Sequence, residues 1–264
     1  NMAKTVPGKE EFHEMLRYFT RRVALTGVHL HLGRRVDVTQ LQAGRYDEVI
    51  VATGVRPRDP RIPGQEHPKV LSYIDVLRHR RSVGQRVAVV GAGGIGFDVA
   101  EFLVHDGHSP TLHLDEWLVE WGVGDPAQAR GGIEGLRPRV SPPAREVYLL
   151  QRRASKLGER LGKTTGWIHR TTLKNKQVRM MGGVNYERIG DQGLLISHGP
   201  KREEPTWLEV DHVVLCAGQE PLRDLFEPLR AAGVTVHLIG GAHEAAELDA
   251  KRAIDQGVRL GAAL

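Results

Sequence analysis

A short run of glycines offers the clearest chemistry in this sequence. The run GAGGIG occupies positions 91–96 and lies between a predicted buried strand at 86–90 and a predicted helix. Its four glycines are Gly91, Gly93, Gly94 and Gly96. Glycines at this spacing allow a tight turn and let a pyrophosphate approach the N–H groups of a helix N-terminus. The pattern therefore predicts a dinucleotide site, and the alternative is a tight turn without a ligand.

Basic residues follow the next predicted strand and indicate which dinucleotide would bind. The strand at 146–150 is followed by Gln151 and by three basic residues, Arg152, Arg153 and Lys156. An NAD site usually has a carboxylate here for the ribose 2′-hydroxyl, whereas guanidinium groups match a 2′-phosphate. The sequence therefore favours NADPH, and the alternative is an exposed basic surface without a ligand.

The other reactive residue types form weaker patterns. Cys216 ends a predicted buried strand, which favours a core position over a nucleophile. The histidines lack the cysteine or carboxylate spacing of a metal site. The segment GKT at 162–164 lacks the earlier glycine of a phosphate-binding loop, so an ATP site is rejected. Trp167 and His169 either line a nicotinamide pocket or anchor a helix, and the residues leave both interpretations open.

The elements that must position these residues suggest an α/β fold with two nested Rossmann-like domains. Residues 49–57 and 213–221 share one pattern, in which an apolar strand is followed by a glycine and then a proline. The glycine run lies between them, so residues 83–218 are predicted to form a nucleotide-binding domain inserted into an outer one made of 1–82 and 219–264. No glycine fingerprint precedes the first predicted helix, so the outer domain is expected to be either truncated at its N-terminus or a degenerate half that binds no cofactor.

Several local elements follow from periodicity and turn residues. Alternating apolar residues predict strands at 28–32 and 36–38, and the spacing around 9–23 predicts an amphipathic helix. Ser72 is a predicted cap for a short helix at 72–80. The strand at 146–150 follows the glycine run by about fifty residues, where about twenty is usual, so 105–145 is expected to be an irregular insertion.

Composition excludes several classes of protein. A chain of 264 residues can hold two domains, and its apolar fraction of 40% with 31 glycines suits an α/β protein. One cysteine excludes an intramolecular disulfide and a cysteine-ligated iron–sulfur cluster held by this chain alone. The net charge is only +5, the basic residues are scattered along the chain, and few aromatic residues lie among them. Nucleic acid is therefore not an expected partner. No apolar run approaches the roughly 20 residues of a membrane span, and a cytoplasmic protein is expected.

The sequence resembles the C-terminal part of bacterial NADPH-dependent 2,4-dienoyl-CoA reductases, which are modular flavoenzymes of the old yellow enzyme type. The matching segments are 1–4 with 7–12, 67–73, 93–98, LGKTTGWIHR at 161–170, CAGQEP at 216–221, and 236–241 through 253–257. The similarity runs from end to end. It implies a relay in which NADPH gives hydride to FAD, and electrons then pass through an iron–sulfur cluster to FMN in an N-terminal barrel that reduces the acyl-CoA.

The resemblance also implies roles for individual residues. The four glycines would hold the NADPH pyrophosphate, Arg152 and Arg153 the 2′-phosphate, and Lys156 and Trp167 would lie close to that pocket. Contacts to FAD are implied for Lys9, the Val36 backbone, Ala52, Thr53, Gly241, Leu248, Asp249 and Ala250. Where the wider superfamily often has an acidic residue beside the flavin ribityl chain, this sequence has Gly241, so a backbone N–H is expected there.

By the same resemblance, the barrel with FMN and the cysteines of a 4Fe–4S cluster would lie upstream of this chain. The 2,4-dienoyl-CoA substrate would be bound by that barrel. Two alternatives stay open. One is a related reductase of the same plan that acts on another activated alkene, and the other is a nucleotide-binding module without catalysis of its own.

Overall fold

The computed structural model describes residues 2–132, 134–246 and 249–264. These residues pack into two compact units. Unit 1 comprises Asn1–Arg22 and Pro60–Ala217, and unit 2 comprises Val23–Asp59 and Gly218–Leu264. Each helix within the described ranges is too short or too polar to cross a membrane.

The α-helices are α1 (Phe12–Leu25), α2 (Val38–Ala43), α3 (Tyr73–Leu77), α4 (Gly94–Val104), α5 (Leu114–Trp121), α6 (Gly166–Asn175), α7 (Phe226–Ala231), α8 (Gly240–His243) and α9 (Ala250–Ala263). The strands are β1 (Val49–Val51), β2 (Val55–Pro57), β3 (Val70–Ser72), β4 (Arg86–Val90), β5 (Glu146–Gln151), β6 (Arg179–Gly182), β7 (Val184–Gly190), β8 (Gly193–His198), β9 (Glu203–Glu209), β10 (His212–Leu215), β11 (Gln219–Pro221) and β12 (Val236–Leu238).

A five-stranded parallel sheet forms the centre of unit 1. Its strand order is β3-β10-β4-β5-β6, with Val89 opposite Leu149 on one side and Val214 on the other. Parallel strands buried on both faces have near-continuous apolar sequences, as in the run RVAVV of β4. The predicted α/β fold is confirmed.

The two faces of this sheet pack against different layers, because successive side chains of a strand point to opposite sides. Val87 and Val89 lie in a core cluster with Phe97 and Leu103 of α4. Ala88 and Val90 lie in a second cluster, packed against the antiparallel sheet β7-β8-β9. The apolar residues at 193–197 predict β8 from the sequence alone, whereas the charged side chains of β7 and β9 obscure the alternation in those two strands.

The segments 1–22 and 60–82 were assigned from the sequence to the outer domain, whereas in the structure they pack within unit 1. β3 pairs with β10, where Leu71 lies opposite Val214, and Val6 is fully buried in the core cluster that contains Phe97. Ser72 caps α3 as predicted, because its side chain accepts from the N–H of Asp75 in a capping box. The nesting of two cofactor-binding domains stays a prediction.

The insertion at 105–145 contains α5 and is fastened to α6 by a buried lysine. Lys176, the C-cap of α6, is 2% exposed. Its Nζ donates to the carbonyl oxygen of Ser141 at 3.1 Å and to the Oγ of the same residue at 2.6 Å.

The expectation of an irregular insertion was wrong for the residues of α5. The apolar residues of this segment recur at helical spacing and form a helix.

Unit 2 contains two small sheets. β1 pairs in parallel with β12, and β11 pairs in antiparallel with β2. The predicted strands at 28–32 and 36–38 were wrong. Residues 28–31 form neither helix nor strand, and a capping box of Asp37 with Gln40 begins α2 at Val38 instead. Alternation alone does not make a strand, because a strand also needs a neighbour for its hydrogen bonds.

Candidate functional site

The glycine run joins β4 to α4, as the sequence predicted. Gly91 follows the last residue of β4 and donates its N–H to the carbonyl oxygen of Leu150 at 2.9 Å. Gly93 is the N-cap of α4, and no side chain caps it. The first N–H groups of a helix have no partner within it, so this end of α4 offers donors and a positive dipole to an anion.

Two of the glycines serve close packing between strand and helix. Gly91 has a φ of +110°, and a Cβ there would lie 2.3 Å from the carbonyl oxygen of Cys216, which directly follows β10. A Cβ at Gly96 would lie 1.7 Å from the carbonyl oxygen of Gly91. No larger residue fits either position without movement of the backbone, because these distances are below van der Waals contact.

The other two glycines face open space. A Cβ on Gly93 or Gly94 would meet no atom within 4 Å among the described residues. No side chain covers the backbone there on the side where an anion at the N-terminus of α4 would bind. The run thus combines a tightly packed inner side with an open outer side, and the arrangement fits a pyrophosphate.

The basic residues predicted to choose the dinucleotide lie on the loop after β5, the strand beside β4. Arg152, Arg153 and Lys156 are all exposed, and none forms an ion pair with a carboxylate of the described residues. Their charges are thus available to an anion. Carboxyl ends of parallel strands with adjacent loops are where nucleotides bind in such sheets.

Trp167 is the second residue of α6 and is 54% exposed. Its ring packs edge-on against Trp121 of α5, with ring centroids 6.3 Å apart. Two residues further along α6, His169 Nδ1 lies 3.1 Å from Oε2 of Glu101, a buried carboxylate on α4. The histidine therefore fastens α6 to α4, while the half-exposed indole leaves one side of its ring open.

Lys9 lies in unit 1 and is already paired there. Its Nζ donates to Oδ1 of Asp98 in α4 at 2.5 Å, and both side chains are mostly buried. The ammonium has further donors beyond this one. The FAD contact implied for Lys9 stays a prediction.

Two groups in unit 1, the buried Cys216 and the partly buried Tyr186, have shifted pKa values. Burial raises the pKa of the Cys216 thiol, and the charge of Asp98 raises it further. Burial also raises the pKa of the Tyr186 phenol, while the positive charge of Arg152 lowers it in part. Cys216 is therefore a protonated core residue, which agrees with the interpretation from the sequence.

Unit 2 contains a cavity of about 420 Å³ at the ends of β1 and β12. Its lining residues are Ala52, Gly54, Ile239, Gly240, Gly241, Asp249, Ala250 and Ala253. Asp249 caps α9 by accepting from the N–H of Arg252 at 2.7 Å. The size falls within the range of small-molecule sites, and the small residues leave backbone accessible to a ligand. The cavity brings together four of the residues implied for FAD.

Thr53 and Val36, which were also implied for FAD, are not among the residues that line this cavity. Thr53 follows Ala52, and its Oγ1 donates to the carbonyl oxygen of Leu222. Val36 lies in an exposed segment just before the cap of α2. Leu248 is outside the described residues.

Some site residues were missed in the sequence analysis. Ile239 and Ala253 line the unit 2 cavity, and Ala253 lies one helical turn after Asp249 and Ala250, a spacing that could have indicated it. Glu101 pairs with His169 across 68 residues, and no local pattern indicates such a contact.

Within residues 2–132, 134–246 and 249–264, no three His, Cys, Asp or Glu side chains are grouped to hold a metal ion.

Comparison with known protein families identifies the family to which this chain belongs. The family described as "Pyridine nucleotide-disulphide oxidoreductase" matches residues 5–247. The chain belongs to this family. The pyridine nucleotide-disulphide oxidoreductases bind FAD and NAD(P)H, and the chain is accordingly a flavin- and NAD(P)-dependent oxidoreductase domain with a Rossmann-type fold.

Two relatives match this oxidoreductase domain over most of its length. A metal reductase of Desulforamulus reducens is 24% identical over 245 residues, which cover 91% of this chain and 35% of the relative. A bilirubin reductase of Mediterraneibacter gnavus is 27% identical over 257 residues, which cover 97% of this chain and 34% of the relative. The chain thus spans about a third of the length of these relatives.

Solved structures share the fold. The 2-naphthoyl-CoA reductase in complex with 2-naphthoyl-CoA has a TM-score of 0.78 at 20% identity, over 98% of this chain and 33% of that one. The histamine dehydrogenase from Rhizobium sp. 4-9 has a TM-score of 0.69 at 16% identity, over 98% of this chain and 37% of that one.

Proposed function

We propose that this chain is the NADPH- and FAD-binding portion of a multidomain 2,4-dienoyl-CoA reductase. In such an enzyme, bound FAD would supply the redox chemistry that connects NADPH to a 4Fe–4S cluster and to FMN in a separate barrel, where the unsaturated fatty acyl-CoA would be reduced during β-oxidation. The residues of this chain have the tasks of binding NADPH and FAD, orienting them and selecting the phosphorylated nucleotide.

The observation that carries the NADPH assignment is the basic loop beside the glycine run. Arg152, Arg153 and Lys156 follow β5, and no carboxylate of the described residues neutralises them. Guanidinium groups donate two parallel hydrogen bonds to a phosphate, a geometry that a ribose hydroxyl does not offer. The absence of an acidic side chain at the end of β5 supports the same choice.

The FAD assignment is supported by the unit 2 cavity. Ala52, Gly241, Asp249 and Ala250 line it, and all four were implied by the family resemblance. Gly241 has no side chain to bind the flavin, so its backbone N–H takes the role that an acidic residue has elsewhere.

The acyl-CoA substrate is proposed from the resemblance of the sequence to 2,4-dienoyl-CoA reductases. Among the neighbours in fold, one is a reductase that binds 2-naphthoyl-CoA. Since the chain spans about a third of such proteins, we propose that substrate and FMN are bound outside these 264 residues. A related enzyme that reduces another activated alkene would use the same cofactor portion.

A binding experiment tests the NADPH proposal. In the 264-residue chain, Arg152→Ala with Arg153→Ala removes two charge-assisted contacts, so the Kd for NADPH is expected to rise about 100-fold while that for NADH changes less than about threefold. The matched control is Arg34→Ala with Arg35→Ala, which removes the same charge from an exposed pair in unit 2. Equal losses for both nucleotides would contradict the proposal.

Two further measurements test the redox role. FAD-loaded protein should lose its visible flavin absorbance when NADPH is added without oxygen. A colourless protein that binds NADPH without redox chemistry would instead be a nucleotide-binding module. Substantial reduction of a 2,4-dienoyl-CoA by this chain alone would contradict the proposal that the substrate binds elsewhere.

A further inference from the structure

We infer that Gln151 is a positioning residue that sets the preference for the 2′-phosphate by fixing the loop on which Arg152, Arg153 and Lys156 lie. The inference rests on the proposed NADPH function and deepens it. Gln151 is the last residue of β5 and occupies the position where NAD-binding sites usually have a carboxylate.

The side-chain amide of Gln151 bonds to its own loop. Its Nε2 donates to the carbonyl oxygen of Arg153 at 3.0 Å and to that of Ser155 at 2.9 Å. Both hydrogens of the amide nitrogen are thereby used, one for each carbonyl. A carboxylate cannot make these bonds, because it has no hydrogen to donate and would repel both carbonyl oxygens.

Backbone groups of the neighbouring strands fix the same loop from a second side. The N–H of Gly183, between β6 and β7, donates to the carbonyl oxygen of Arg153 at 2.9 Å. A Cβ on Gly182 would lie 3.2 Å from that same oxygen, so a side chain there would require the loop to shift by a few tenths of an ångström. The carbonyl of Arg153 therefore accepts from Gln151 and Gly183 together and is held in one orientation.

The far end of the loop is fastened by α6. The guanidinium of Arg170 donates through Nη1 to the carbonyl oxygen of Gly158 at 3.0 Å. Gly158 itself is buried against the ring of Phe97 in α4, with a φ of +69°. The loop is thus anchored at 158, and near its beginning the Gln151 amide and the N–H of Gly183 anchor it together.

These anchors matter because the arginines themselves are exposed. An exposed arginine on a mobile loop loses backbone and side-chain entropy when it binds a phosphate, and that loss weakens the contact. A backbone held in advance reduces this loss. Gln151 therefore acts on nucleotide choice through the loop, without needing to touch the phosphate.

The test compares adenosine 2′,5′-bisphosphate with 5′-AMP, which differ by the 2′-phosphate alone. We expect Gln151→Leu to lower the affinity ratio between them about tenfold, with the affinity for 5′-AMP changed less than threefold. Gln151→Glu should lower the ratio further, because a carboxylate also repels the phosphate. Gln42→Leu removes an exposed amide from α2 and should leave the ratio unchanged.

A second measurement does not depend on a nucleotide. Trypsin cleaves after arginine, so release of the loop in Gln151→Leu should speed cleavage after Arg152 and Arg153 at least fivefold, with the midpoint of urea unfolding unchanged. An unchanged affinity ratio with unchanged cleavage would overturn the inference and leave the NADPH proposal intact. If the unmodified protein binds both adenosine phosphates equally, the NADPH proposal fails as well, and the two failures are thereby distinguished.

Discussion

The carbonyl oxygen of Gly91 lies 1.7 Å from the point where a Cβ on Gly96 would stand. The end of β4 and the first turn of α4 are thus in direct backbone contact. This contact brings the helix N-terminus to the carboxyl edge of the sheet, where an anion can reach its N–H groups. Packing and ligand binding consequently depend on different glycines of one short run.

The first prediction separates these two roles. Gly96→Ala forces the methyl group into the Gly91 carbonyl, so the free energy of unfolding should fall by about 3 kcal/mol. Gly94→Ala places its methyl group in open space, and its stability should stay within about 1 kcal/mol of the unmodified protein. Urea unfolding measures both.

The order of the two variants should be reversed for NADPH binding, where Gly94→Ala should have the larger effect. The methyl group of Gly94→Ala stands on the open side of the run, so the Kd for NADPH should rise about tenfold. Tight NADPH binding by Gly94→Ala would contradict the proposed position of the pyrophosphate.

The second prediction concerns the buried pair between α4 and α6. His169→Leu leaves the carboxylate of Glu101 buried without this partner, and the free energy of unfolding should fall by about 3 kcal/mol. Adding Glu101→Leu should recover part of the loss, because no buried charge then remains. The exposed pair Arg259 and Asp255 is the control, where Arg259→Leu should leave the free energy of unfolding nearly unchanged, because solvent screens the pair. Additive losses in the double variant would contradict a direct interaction between Glu101 and His169.

The third prediction is a pH dependence. Burial raises the pKa of Cys216, so above about pH 8.5 the unfolded chain releases a thiol proton that the native chain keeps. The free energy of unfolding should therefore decrease as the pH rises from about 8.5 to 9.5, by roughly 1 kcal/mol more than in Cys216→Ala. Tyr186, whose pKa is also raised, contributes little over this range, because a tyrosine in the unfolded chain ionises near pH 10. Parallel pH profiles would show that the thiol ionises in the folded protein.

The fourth prediction concerns the cavity of unit 2. Ala250→Phe should fill part of its volume of about 420 Å³ and raise the Kd for FAD at least tenfold. Ala262→Phe, at the other end of α9, is the control and should bind FAD like the unmodified chain. Fluorescence titration with FAD measures both, and equal affinities would place the flavin elsewhere.

The sequence predicted elements whose cause is local. β4, β5 and α4 follow from apolar runs and glycines, and Ser72 begins α3 through contacts within four residues. The sequence also indicated the two regions proposed to bind ligands, which are the glycine run with its basic loop and the residues around the unit 2 cavity. Both regions contain strand ends and glycines that can be recognised in the sequence. Their assignment to NADPH and FAD is still a proposal.

What the sequence did not predict depends on distant partners. The alternation at 28–32 resembles a strand, but the described residues include no neighbouring strand for it. Gln151 is adjacent to the arginines in sequence, yet the direction of its amide is decided by the fold of the loop. The contact of Lys9 with Asp98 spans 89 residues, so no local pattern indicates it.

The hydrogen bonds from Lys176 to Ser141 couple the insertion at 105–145 to the residue at position 176 during evolution. An ammonium that is 2% exposed needs the oxygens that the insertion supplies. A relative that lost residues 105–145 would retain a charge in an apolar interior unless position 176 also changed. Loss of the insertion and replacement of this lysine are therefore expected to occur together in evolution, with an uncharged side chain at 176 in every short form.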